Sequence, residues 1–438
     1  MTVNVTDTVG ANNTIVLDGN SKIPAIDGSQ VTALSATAFT TGSLATARID
    51  VGTTAGKVLQ LDGSARIPAL SGTNLTNVPG PTSSTSDPAI DSNLTLGKKW
   101  INKTSGEVYI CTDATAGANV WTNVGAGTGD VAPFPAWGTQ YGYMCGGRIG
   151  QSPVSTYIQR YSFASDGNAV DSANLIGENF QSKASSSATY GYVHGGANPW
   201  PTAINVIQKF NFSTQANATD IGDLTVARYH VATSQSAISG YSAGGQNATS
   251  PAEKDVIDKF PYASDANATD VGNLIIGQAY VSGHSSLTHG YKTHGTLATS
   301  GPQTGANGYG DAIEKFPFAT DSNSSDVANM LAGRYLCGGT QSSSHGYKAG
   351  GRDGSVQYNE IEKFTFASDA NSTDVGNLLL TMGYTTCSAS TTHGYASGAY
   401  TGSAASDSIN KWTFSSDANA TDVGNLLVAD YGGAGTQV

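Results

Sequence analysis

Chemistry in this 438-residue chain must come from few residues, since 12% are charged, seven are His and four are Cys. The most suggestive spacing is Asp-x-Asn-x-x-Asp, as at Asp265, Asn267 and Asp270, which gathers three oxygen donors in one turn as a calcium loop does. An EF-type loop needs glycine at its sixth position and a distal glutamate. Here Asp270 holds the sixth position and no Glu follows, so a hydrogen-bonded Asx turn is expected instead. Cys111, Cys145, Cys337 and Cys387 lie far apart with no metal-ligand spacing and read as small buried residues. No GxSxG elbow and no HExxH motif occurs. His289, His345 and His393 each stand directly before a Gly-Tyr pair, a periodicity that belongs to structure. No catalytic residue, metal site or cofactor is therefore assigned. What remains is recognition chemistry in loops that differ from copy to copy of a repeat: Arg148, Trp200, Tyr309, Arg352, Tyr358 and Tyr400. Aromatic and Arg side chains on a Ser/Gly/Asn background give large contact area at low entropic cost.

The elements that position these loops follow from a pattern repeated six times with a period near 49 residues. Each copy opens on Gly-Tyr, at Gly142, Gly191, Gly240, Gly290, Gly346 and Gly394, and four copies reach Gly-Gly two residues later. About twenty residues on comes a basic residue followed by aromatic-x-aromatic, from Arg160-Tyr161-Ser-Phe163 to Lys411-Trp412-Thr-Phe414. A polar turn and an apolar close follow, as in SDANATDVGNL at Ser264 to Leu274. One further aromatic series trails the closing leucines: Phe180, Tyr229, Tyr280, Tyr335, Tyr384 and Tyr431. A unit of this length, rich in strand formers and Gly/Asn/Asp turns, holds four short strands. The first is the Ser/Thr-rich run before each Gly-Tyr; the others are GYxxGG, the basic-aromatic segment and TDVGNL. The first copy starts at its second strand and the chain ends on a spare first strand, so the C-terminus is expected to complete the first unit. The fold class is all-β, with a six-bladed propeller as its C-terminal part.

Composition excludes several partners. The net charge of −12 provides no clustered Lys and Arg for a phosphate backbone, so nucleic acid is not expected. The first twenty residues lack the basic and apolar regions of an export leader, and no stretch reaches about 18 apolar residues, so neither export nor membrane insertion is expected. In the N-terminal part, Leu17-Asp18-Gly19 through Ile23-Pro24-Ala25 to Val31-Thr32 returns as Leu61-Asp62-Gly63 through Ile67-Pro68-Ala69 to Leu75-Thr76. Such thin segments cannot bury a core alone, and three-fold winding with identical chains would cover them. Residues 1–80 are thus expected to form a trimerising shaft. Residues 81–130 hold a hinge and a small β hub with Trp100 and Trp121, read mainly as core and secondarily as sugar-stacking faces. Residues 131–438 hold the repeats.

The repeat resembles the kelch repeat in its double glycine and downstream aromatic, although DVGNL stands where kelch repeats carry a Trp. Copper-oxidase and sialidase relatives of that architecture imply ligand sets or an arginine triad that this sequence does not present. The wording KFxFASDANATDVGNL is similar to repeats in structural proteins of marine tailed phages. The LDG…IPA…GxxLT stretches resemble phage fibre shafts, and GxxWIN…GxVYICTDA…W resembles a fibre collar or hub module. The resemblance implies a non-catalytic homotrimeric tail fibre, assembled in the host cytoplasm into a virion. Its N-terminal end would join tail, baseplate or adaptor proteins, and its propeller would bind a glycan or outer-membrane protein of a bacterial host. The alternative it allows is a head fibre or collar protein whose propeller docks another phage protein, and more remotely a glycan-degrading tailspike.

Overall fold

A computed structural model describes residues 80–124, 138–150, 153–298, 304–305, 308–354 and 356–438. The expected shaft, Gly80 excepted, lies outside these residues. The described regular structure is all β, arranged as several antiparallel sheets.

Residues 80–124 form a small four-stranded sheet in which Thr82–Ser84 pairs parallel with Lys99–Asn102, followed antiparallel by Val108–Asp113 and Val120–Asn123. Alternation along these strands buries Tyr109, Cys111 and Trp121 on one side. Trp100 packs edge-on against Trp121 with centroids 5.9 Å apart, and its indole N–H donates to the Ser86 carbonyl at 2.9 Å. The fully buried Trp121 is therefore core.

The repeats form six four-stranded units in the order first, second, third, fourth strand. The second unit is typical: Lys183–Ser186, Tyr190–His194, Val206–Asn211 and Thr219–Asp223. The third and fourth units join into one larger sheet because the long strand Thr269–Ala279 also pairs with His289–Leu297. The first unit takes its first strand from the C-terminus: Ala434–Gln437 pairs with Tyr141–Cys145, Ala434 opposite Cys145. Register explains why Gly-Tyr and the basic-aromatic motif travel together. Gly191 lies directly opposite Phe210, and a Cβ on Gly142 would stand 2.6 Å from the Tyr161 ring, so the aromatic lies over the glycine and covers it.

What joins one sheet to the next is repeated around the whole set. Each Tyr of a Gly-Tyr pair packs on the two aromatics of the following sheet, with centroids 4.6–6.4 Å apart, and Tyr395 of the sixth packs on Tyr161 and Phe163 of the first. The turn asparagine makes a second contact. Asn168, Asn217, Asn267, Asn323, Asn371 and Asn419 each accept a backbone N–H from the preceding sheet's fourth strand at 2.9–3.1 Å. The next residue returns a backbone N–H to the same position at 2.8–2.9 Å, as Ala268 does to Asp223. A third contact is an ion pair of 2.5–2.9 Å from the motif lysine to the first Asp of the next turn, as in Lys209–Asp265 and, from sixth to first sheet, Lys411–Asp166. The first sheet is the exception: Arg160 lies over the Tyr141 ring, and Gln215 occupies the place of the aspartate.

These contacts revise the reading of Asp-x-Asn-x-x-Asp. The first Asp meets a lysine of the preceding sheet, the Asn meets its backbone, and the last Asp caps the N–H two residues on, as Asp270 does for Gly272 at 3.2 Å. Only the last is the local Asx-type bond expected from sequence. No group of three or more candidate metal ligands occurs among the described residues.

The two inter-sheet contacts are expected to differ in strength. Asn267→Ala is expected to cost about 1 kcal/mol in denaturant unfolding, because it removes a hydrogen bond to the backbone of the neighbouring sheet. Asp265→Ala is expected to cost under about 0.5 kcal/mol, because that carboxylate is solvent-exposed. A larger cost at Asp265 than at Asn267 would show that the ion pair, not the asparagine, joins the sheets. Asp430 is fully buried, touched by Gln159 Nε2 at 3.3 Å, and its pKa is pushed up to about 7 by burial, opposed by a Ser155 hydrogen bond. A raised carboxyl pKa makes the folded state bind more protons than the unfolded one, so this group's contribution to stability falls as pH rises from about 4 to 7. Asp430→Asn should therefore stabilise by roughly 1–3 kcal/mol at pH 8 and little at pH 4, measured by thermal melts at both values.

Candidate functional site

The first strands carry small residues where they approach each other. A Cβ on Gly339 would stand 2.7 Å from the Gly283 carbonyl oxygen. Each first strand packs on the next, Thr386–Ala389 packs on Ala434–Gln437, and that strand packs on Lys183–Ser186, so the neighbour list returns to its start. Side chains cross-link them: Gln235 Oε1 accepts the Ser186 N–H at 2.8 Å, and Ser285 Oγ accepts the Gln235 N–H at 2.9 Å. Between the strands lies a narrow polar cavity of about 50 Å³, lined among others by Lys183, Thr233, Gln235, Gln341 and Gln437. It has room for a few waters and no larger ligand.

Just before each first strand the chain turns through a left-handed residue. These are Gln181, His230, Tyr280, Leu336, Tyr384 and Gly432, with φ between 57° and 68°. Only the last is glycine, and bulky residues in this region carry strain that the surroundings must hold in place. The surroundings are a closed set of backbone hydrogen bonds. Gln181 N–H donates to Gly432, His230 to Gln181, Val281 to His230, Leu336 to Tyr280, Tyr384 to Leu336 and Gly432 to Tyr384, at 2.7–3.4 Å.

The same turns carry the trailing aromatic series, and the variable loops lean on it. Centroid distances of 3.6–5.7 Å link Tyr400, Tyr431, Phe180, Trp200, Tyr229, His230, Tyr280, Tyr335 and Tyr309 into one belt. Tyr384 joins it against both Tyr431 and Phe180. Arg148 lies over Phe180 at 5.8 Å and Arg352 over Tyr335 at 5.6 Å. Five of the six residues singled out from sequence, Arg148, Trp200, Tyr309, Arg352 and Tyr400, thus contact one continuous surface. Tyr358 is held apart from the ring chain, stacked with Arg334 at 3.8 Å and donating to Asp353 at 2.8 Å. The series Phe180, Tyr229, Tyr280, Tyr335, Tyr384 and Tyr431 was visible as a repeat landmark but not as part of a site. Its recurrence five or six residues behind each closing Leu or Met was the signal.

Exposure is graded. Phe180 and Tyr431 are buried, most of the tyrosines are half-buried, and Trp200 is 40% exposed. Burial raises the phenol pKa values of Tyr229, Tyr280, Tyr335 and Tyr431 and pushes Tyr384 up to about 12, so the hydroxyls remain protonated donors. Aromatic faces, phenol donors and two guanidinium groups supply stacking and hydrogen bonding to a flat polar ligand. Three buried cations elsewhere are paired internally: Arg228 with Asp258 at 2.9 Å, Lys292 with Glu314 and Lys348 with Glu362 at 3.0 Å each. No protein-family model matches this sequence, and no curated protein matches it.

The belt's grading has a direct consequence. Trp200→Ala should change unfolding free energy by about 1 kcal/mol or less, because a half-exposed ring contributes little cavity cost, whereas Phe180→Ala should cost about 3–5 kcal/mol. Denaturant titration of both variants checks the order.

Proposed function

We propose that the six repeat sheets are blades of a kelch-like β-propeller closed by the C-terminal strand, and that the chain is a phage fibre subunit whose propeller attaches a virion to a bacterial surface. The blade reading is supported by the cyclic neighbour list of first strands and by aromatic and asparagine contacts that recur from the sixth sheet to the first. The observation that carries the functional reading is the aromatic belt. It gathers rings and guanidinium groups from loops of different sequence on one side of a scaffold otherwise rich in Gly, Ser and Asn. Function on rigid repeat scaffolds resides in such loops. A surface glycan suits the belt best, because stacking on rings and bonding to phenol and guanidinium groups recognises sugars without a deep pocket. The N-terminal residues 1–80 supply the trimerising shaft in this reading, and three heads on one stalk raise weak single-site binding to useful avidity.

The test uses the full chain. Light scattering should give three times the chain mass, and fluorescently tagged protein should label susceptible bacterial cells. Replacing Trp200 and Tyr400 together by Ala should reduce labelling at least about tenfold, the loss typical of contact anchors, with the melting curve unchanged. A trimer that labels no cells but co-purifies with another virion protein would replace attachment by docking within the particle. A monomer would remove the shaft from the account.

A further inference from the structure

Nine lysines lie in the repeats. Lys209, Lys259, Lys315, Lys363 and Lys411 pair with aspartates, Lys292 and Lys348 pair with glutamates, and Lys254 is bonded to backbone carbonyls. Lys183 is different: among the described residues it has neither a carboxylate nor a hydrogen-bond acceptor. It stands between the polar cavity of the first strands and a smaller cavity of about 20 Å³ at the level of the left-handed turns. All six turn residues line that smaller space, together with Lys183, Val281 and Cys337.

A second unpartnered donor belongs to His230, which lines the same space. The Gln246 NH2 group lies 3.3 Å from His230 Nδ1 and 3.1 Å from the Tyr280 hydroxyl. With the Gln246 amide in this orientation Nδ1 accepts and the imidazole proton falls on Nε2, which is buried without a partner. The Gln181 amide completes the lining, its Oε1 also buried and unbonded, and rotation about its last bond can present NH2 in its place. Two donors thus converge; burial first, and Lys183 second, disfavour protonation of His230, which stays a neutral imidazole. Burial pushes the Lys183 pKa down, the response of an ammonium without a counter-charge; no carboxylate perturbs it, and the other groups it senses are Cys387 and Cys337, whose thiols burial keeps protonated. In a chain of net charge −12, this is a local positive pocket walled by Tyr280, Leu336 and Tyr384. An isolated ammonium in such surroundings is costly unless a counter-charge joins it.

We propose that this pocket is a site for one small monovalent anion of chloride size, held between Lys183 Nζ and His230 Nε2–H at the centre of the ring of left-handed turns. The volume admits one water-sized body and excludes sulfate, phosphate and carboxylates. The apolar walls favour a weakly hydrated ion. Bound there, the anion neutralises Lys183 beneath the strained turns and so stabilises the ring on which the aromatic belt stands. The proposal is independent of what the belt binds.

The experiment compares melting of the full chain in sodium chloride, sodium bromide and sodium gluconate at equal ionic strength. Chloride and bromide should raise the midpoint saturably, by roughly 3–6 °C at a hundredfold excess over the dissociation constant, while gluconate should not. Lys183→Met should abolish the halide effect and melt in gluconate at or above the wild-type temperature, because it removes the uncompensated charge. Bromide anomalous scattering from wild-type crystals gives a readout independent of the variant's folding and should place one peak in the pocket. Equal melting of the wild type in halide and gluconate, the same halide shift in Lys183→Met, or no peak in the pocket would each overturn the proposal.

Discussion

The constraint on which the rest depends is that no repeat can bury its own tyrosine. The Gly-Tyr strand puts the ring on the face of its sheet, and the two aromatics that cover it belong to the next sheet. A linear stack of such units would leave one tyrosine bare at one end and one aromatic pair bare at the other. Here Tyr395 meets Tyr161 and Phe163, so the last unit is covered by the first and neither end is left over. Aromatic pairs contribute about 0.5–1.5 kcal/mol each beyond their buried area, so six such junctions amount to much of a domain's net stability. The asparagine contacts then fix the angle at which the sheets meet, since a side-chain oxygen and a backbone carbonyl from opposite sides must both be reached. The exposed lysine–aspartate pairs contribute least, and the junction between the first and second sheets does without one.

Much of this architecture was legible in the sequence because the signals are local. The period, the Gly-Tyr pair, the basic-aromatic motif and the spare C-terminal strand each follow from residues within one unit. Partners across units were not legible, because sequence distance carries no information on which sheet faces which. Asn267 therefore read as a local turn former, whereas its oxygen serves the preceding sheet. The buried ion pairs were missed for another reason. Lys292 and Lys348 directly follow the tyrosine of the second strand, where alternation turns them to the opposite face, and that face is buried against Glu314 and Glu362. Burial on both faces leaves no polar side to the strand, so a charge there signals a paired core residue.

The candidate surface was half legible. Variable loops drew attention to Arg148, Trp200 and Tyr309, but the rings they rest on are periodic, and periodicity points to structure. The two roles coincide here. A buried ring such as Phe180 serves the fold from below and offers its remaining edge to Trp200 above. Spacing alone cannot reveal this, because it depends on which end of each sheet the trailing turn occupies.

The narrowness of the space between the first strands argues in turn for where recognition takes place. Small residues at Gly283, Gly339 and Gly435 let the strands close until only water-sized volume remains. A glycan or a protein loop cannot enter it, which under the proposed attachment reading leaves the rim as the place of contact. The rim is where the chain tolerates five bulky left-handed residues, and tolerating them requires a closed ring of backbone bonds beneath. Ring closure, strain and the aromatic belt are consequently one device: the ring fixes the turns, the turns fix the periodic rings, and those rings fix side chains from loops that share no sequence. Loop sequence can then vary without disturbing the closure, because no loop residue takes part in the backbone ring.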